Sequence, residues 1–184
     1  MLQRACARVG LDMIYSQGFN PRPKISLPLP RTVGVESEDD LLFLQLKNSP
    51  ENAGAALSGQ LPEGCAVSDV SYPGSTKTPQ PVRTVYVIPV KEGKLGGLNE
   101  KGEQILNRKS IVVHRPHKKG KNRQKEIRGF IDSIQLEGNK IAVKCRITNK
   151  GSVRVEELMD LLGIKTDDLE GAIVRTCPEW KNFS

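Results

Sequence analysis

Between Ser16 and Pro30 the chain reads Ser-Gln-Gly-Phe-Asn-Pro-Arg-Pro-Lys-Ile-Ser-Leu-Pro-Leu-Pro, with four prolines. Each proline fixes φ at about −65° and removes a backbone donor, so this stretch is neither a helix nor a central strand. It is extended or turning loop, and the regular elements have to be built around it. Before it, residues 2–9 carry the pattern of an amphipathic helix end, and Gly10 stands where a glycine closes a helix. A short strand is expected at residues 13–15.

Beyond the loop, residues 40–47 read as a strand, and Ser49-Pro50-Glu51 supplies an N-cap, a first-turn proline and an early acid for a helix reaching Gly59. Residues 66–72 read as a further strand, and residues 73–81 are turn formers from end to end. Then come a strand (84–89), a helix (99–107), a strand (110–114), a basic loop, a strand pair (127–136 and 140–148), a helix (153–162) and a strand (172–177). The expected class is α+β, with two ferredoxin-like subdomains of split β-α-β units. The first, residues 1–72, has the order α-β-β-α-β and so lacks its N-terminal strand, as if truncated or completed by another segment. Residues 73–82 are read as a linker and residues 83–184 as the second subdomain.

Lys and Arg number 28 against 21 Asp and Glu, a net charge of +7 that directs attention to a polyanionic partner. Aromatics are only 4%, few for a protein that reads bases by stacking. The longest apolar runs fall far short of the roughly 18 residues of a membrane span, and no secretory signal opens the chain, so a cytoplasmic protein with no membrane partner is expected. Cys6, Cys65, Cys145 and Cys177 are scattered and are read as reduced core residues. His114 and His117 supply half of a zinc site, and no iron–sulfur motif occurs, so neither metal nor cofactor is assigned.

Two segments carry candidate binding residues. Around Gly18, the proline-rich loop offers Tyr15, Ser16, Gln17, Asn20, Arg22 and Lys24. Gly18 permits close approach, the prolines hold the loop open, and the cations meet phosphates, which makes an anion or nucleotide-backbone clamp. The alternative is a structural crossover with Phe19 plugging the core. Further on, Arg115, Lys118, Lys119, Lys121, Arg123, Lys125 and Arg128 face Glu126 alone, a run suited to salt-sensitive phosphate contact. The acids from Glu36 to Asp40 read as a solvated edge that discourages strand pairing, and the apolar face of Val155, Leu158, Met159 and Leu162 reads as core.

The string from Tyr15 to Ser26, followed by Pro30-Arg31-Thr32-Val33-Gly34-Val35-Glu36-Ser37-Glu38, resembles the signature of the uncharacterised bacterial radical-SAM-associated family, a domain of unknown function. The likeness extends more weakly through the helix end before Leu11 and through Gly151 to Leu158. Family members usually open with a strand that this chain lacks, and many carry His between the two loop prolines where Arg22 stands, so a proton-transfer role is not carried over. Such members are usually encoded beside or fused to cobalamin-type radical SAM proteins, often near a ribonuclease and ribosomal-protein genes. The resemblance therefore implies a radical SAM protein as partner, and RNA or a ribosomal particle as the object. The expected function is a non-catalytic accessory protein; the alternatives are an RNA-processing enzyme on tandem ferredoxin-like folds, or an adaptor touching no RNA.

Overall fold

The structure, a computed structural model, describes residues 1–30, 32–74, 76–116 and 123–181, with the backbone alone at residue 177. The fold is α+β, with four α-helices and nine strands among the described residues. The chain divides into two compact units, and the division is discontinuous. One unit comprises Met1–Pro28 and Leu41–Pro79; the other comprises Leu29–Asp40 and Gln80–Lys181. Residues 29–40 thus belong with the second unit, whereas the sequence reading kept all of residues 1–72 together.

In the first unit, α1 (Leu2–Arg8) ends as its sequence predicts: Gly10 takes φ 69°, and the Leu11 N–H reaches back to the Cys6 carbonyl. A two-stranded antiparallel sheet pairs β1 (Ile25–Ser26) with β3 (Phe43–Leu44), extended by isolated bridges from Met13 to Leu46 and from Tyr15 to Pro23. Ala5, Cys6, Met13 and Leu57 make the buried centre. Helix α2 (Ala53–Ser58) is shorter than expected. The strand expected at 66–72 does not form. That segment is anchored to the α2 region instead, by Val67 N–H to Ser58 Oγ (2.8 Å) and by the Tyr72 hydroxyl to the Pro50 carbonyl (2.6 Å). Gly54 makes the fit close, because a Cβ there would stand 2.8 Å from Val70 Cγ2. Val67 and Val70, three residues apart, both stand against Gly54 of this small-residue helix, so their apolar side chains serve helix packing and not a strand.

The second unit is built on a five-stranded sheet ordered β2-β9-β4-β8-β7. Its strands are β2 (Val35–Ser37), β4 (Gln80–Pro89), β7 (Ile131–Glu137), β8 (Lys140–Arg146) and β9 (Ile173–Lys181). All pairs are antiparallel except β2 with β9. Thr84 and Ile88, four residues apart on one face of β4, are buried. Helix α3 (Leu98–Asn107) buries Leu98, Gly102 and Ile105, one face at helical spacing, and a Cβ on Gly102 would meet Ile134 Cγ2 at 3.1 Å. Helix α4 (Val155–Leu162) buries Val155, Leu158 and Leu162, as its pattern predicts, and ends on Gly163 at φ 68°. Between α3 and β7 a separate hairpin pairs β5 (Val112–Arg115) with β6 (Arg123–Glu126). The expected strand over 127–136 therefore begins only at Ile131, behind a 3-10 turn at Arg128–Phe130, and β6 falls in the segment read as a basic loop.

β2 is among the elements the sequence reading missed, because the acids from Glu36 to Asp40 were taken for an edge that repels pairing. It is itself the edge strand, and what holds it is a buried arginine. Arg175, 3% exposed, donates through Nη1 to the Pro30 carbonyl (3.1 Å) and through Nη2 to the Leu29 carbonyl (2.8 Å) and the Asp40 carboxylate. Since β2 covers β9 only from Ile173 to Arg175, the later part of β9 is free of that neighbour, and Pro178 is tolerated inside it.

Replacing Arg175 by Met removes the donor to the two carbonyls and leaves the Asp40 carboxylate, still bonded by Ser37 Oγ (2.8 Å), without its cation, and is expected to destabilise the protein by about 3 kcal/mol. Urea midpoints measure the loss, and amide exchange at Glu38, whose N–H donates to the Arg175 carbonyl at 3.2 Å, should accelerate more than at Ile141 and Val143. Equal protection of Glu38 in wild type and variant would contradict the clamp.

Candidate nucleic-acid interface

The proline-rich loop is closed at its base by reciprocal bonds between two residues. Ser16 N–H donates to the Arg22 carbonyl at 2.8 Å, and Arg22 N–H donates to Ser16 Oγ at 3.0 Å. Just outside, Lys24 N–H reaches the Ile14 carbonyl, and Gln45 N–H reaches that of Lys24, so the loop stands on paired backbone. Gly18 adopts φ 124°, a conformation strained for any residue with a Cβ. Ser16 is thus committed to the loop's own closure, while Tyr15, Gln17, Asn20, Arg22 and Lys24 are exposed.

At the tip, Phe19 is fully exposed. It does not plug a core, as the structural alternative required. The signal was present in the sequence: Gly18 on one side and Asn20-Pro21 on the other leave no helix or strand face on which to bury it. No acid occurs between Ser16 and Ser26. Beside the loop, Arg22 also lines an open recess of about 440 Å³ with Met1, Leu2, Gln3, Pro23 and Ile25.

The basic run separates into two groups. Arg115 forms a forked pair with Glu157 (2.7 and 2.8 Å) and also donates to the Ser152 carbonyl (2.7 Å), tying β5 to the start of α4. Arg128 donates to the Leu106 carbonyl at the end of α3 through Nε (3.1 Å) and Nη2 (2.5 Å), and to the Ile131 carbonyl through Nη1 (2.7 Å). It satisfies a helix terminus that has no partner within the helix. Lys125 donates to the Lys150 carbonyl (2.5 Å) and lies 5.4 Å from the centre of the Phe130 ring. These three hold the protein's own groups. Arg123 is exposed on β6 opposite Arg115, while Lys118, Lys119 and Lys121 lie outside the described residues.

Carboxylates complete the hairpin's frame. Glu126 accepts from the backbone N–H of Ile111 (3.0 Å) and of Arg128 (2.9 Å), and those bonds hold it below the usual carboxylate range. Burial works against ionisation of Glu157, yet the Arg115 fork and the Arg154 N–H outweigh it and lower its pKa. Together with Thr32, His114, Arg154 and Glu156, this pair lines a cleft of about 340 Å³ in which acids and bases balance. Burial pushes the Cys145 thiol up to about 12 and also raises that of Cys6, so both are un-ionised.

A lowered folded-state pKa for Glu157 means that its stabilisation is present above the unfolded value and is lost as pH falls through the folded one. Glu157→Gln should therefore cost about 1–3 kcal/mol at neutral pH, with the gap to wild type closing as the solution is acidified below roughly pH 4. Melting temperatures of both proteins across that range provide the check, and a gap that widens on acidification would contradict the assignment.

Comparison with curated proteins and with solved structures finds no match. A family model does match, over residues 1–156, and so takes in the proline-rich loop, β2 and the basic hairpin. The chain belongs to the family described as "Uncharacterized protein conserved in bacteria (DUF2344)".

Proposed function

We propose that this chain is a non-catalytic RNA-binding accessory protein of the cytoplasm that works with a radical SAM enzyme. The observation that carries the RNA reading is the loop of residues 16–22. It is closed by its own hydrogen bonds, lacks any acid, and presents Phe19, Asn20 and Arg22 to solvent. Exposed polar and aromatic groups on a pinned loop do nothing for folding and suit recognition. The radical SAM partner rests on the resemblance of residues 15–26 and 30–38. For the second unit a ferredoxin-like reading is supported by the order β9-β4-β8-β7, with α3 and α4 in the two crossovers.

Within this reading the phosphate contacts fall to Lys118, Lys119, Lys121 and Arg123, because Arg115, Lys125 and Arg128 are committed to internal partners. Cross-linking followed by identification of the bound RNA and protein tests both partners together; recovery of neither would overturn the proposal.

Charge contacts weaken with salt because each releases counterions from the polyanion. Changing those four residues to Gln should lower affinity for all RNAs about equally and flatten the salt slope by up to roughly four phosphate equivalents. A salt titration of RNA binding reads this directly, and an unchanged slope would reject the basic hairpin as the electrostatic contact.

A further inference from the structure

We infer that the tip of the proline-rich loop is a binding site for one unpaired base, with Phe19 as its stacking platform, so that the loop selects single-stranded over duplex RNA. The inference rests on the RNA-binding reading above and goes beyond it in naming the strand state and the contact. A fully exposed phenyl ring contributes nothing to the core, and it stands on a loop that reciprocal Ser16 and Arg22 bonds hold in one shape. Ordering a flexible aromatic loop at the moment of binding would cost conformational entropy; here much of that ordering precedes the ligand.

Charge complementarity selects the occupant. The segment carries Arg22 and Lys24 and no acid, so the ligand that suits it joins a planar apolar face to a negative charge. An unpaired nucleotide has both, base and phosphate. A duplex presents the phosphates but keeps its bases stacked on one another, out of reach of a ring on a loop tip. The recess that Arg22 lines beside Pro23 and Ile25 gives the adjoining nucleotide somewhere to settle.

The test measures affinity of the full chain for a labelled RNA of roughly 12 nucleotides, single-stranded or annealed to its complement, using wild type and Phe19→Ala, Phe19→Leu and Phe19→Trp. Because the side chain is outside the core, all three variants should fold, which circular dichroism verifies. Loss of one stacking platform should weaken single-strand binding by roughly 5- to 150-fold in both the Ala and the Leu variants, with duplex binding changed by less than about twofold and the Trp variant at least as tight as wild type. Equal losses on both RNA forms, or no loss in Phe19→Ala, would overturn the stacking site while leaving RNA binding intact. Retained affinity in Phe19→Leu would also overturn it, since an apolar contact of the kind a protein surface makes would then suffice. If wild type binds neither RNA form, the underlying reading fails and the stacking site with it.

Discussion

A guanidinium buried in a sheet has to find acceptors, and Arg175 finds them in a segment far away in sequence. Leu29 and Pro30 are well suited to supply them. Prolines at 28 and 30 remove backbone donors and keep the chain out of helix, so the neighbouring carbonyls are not consumed by local structure. Asp40 supplies the charge. With both ends of residues 29–40 fastened, Val35–Ser37 is held alongside β9 as a parallel strand, the one parallel pairing in that sheet. The proline-rich string thus has two consequences at its two ends: an exposed loop in the first unit, and acceptors for Arg175 in the second.

The same economy of acceptors explains why net charge overstates the basic surface. A 3-10 turn, a helix end and a hairpin all meet between Leu106 and Glu157, and each leaves carbonyls that need donors. Arg128 answers the end of α3, Lys125 the Lys150 carbonyl, and Arg115 both Ser152 and Glu157. Long cationic side chains reach such groups where short ones cannot. A run of like charges in sequence therefore mixes fasteners with contacts, and only hydrogen-bond partners separate them.

Legibility followed how local each determinant is. The helices α3 and α4, the hairpin of β7 and β8 and the close of α1 could be read from periodicity and from glycines at positive φ, because neighbours a few residues away decide them. β2 could not, since its partner lies 138 residues along the chain at Val35 and Ile173 and it runs directly into the acids Glu38, Asp39 and Asp40. Residues 66–72 misled in the opposite sense: Val67 and Val70 suggested a strand, but both stand against Gly54 of α2, and Ser58 accepts the Val67 N–H. Within the candidate site, the stiffness of the loop was legible from its prolines. The exposure of Phe19 was also implied by its turn-forming neighbours, although hydrophobicity alone argued for burial.

The two proposed contacts differ in the physics that limits them. Phosphate contact by the hairpin draws on long-range charge; it quickens encounter, tolerates any sequence, and fades as counterions compete. Stacking on Phe19 acts only at van der Waals range and is little screened, so salt leaves it nearly untouched. Raising the ionic strength should then strip away the nonspecific part first and leave the fraction that depends on an unpaired base. A protein with few aromatics can still discriminate in this way, because one ring suffices when the loop beneath it is already ordered and the charge that gathers the ligand lies elsewhere in the chain.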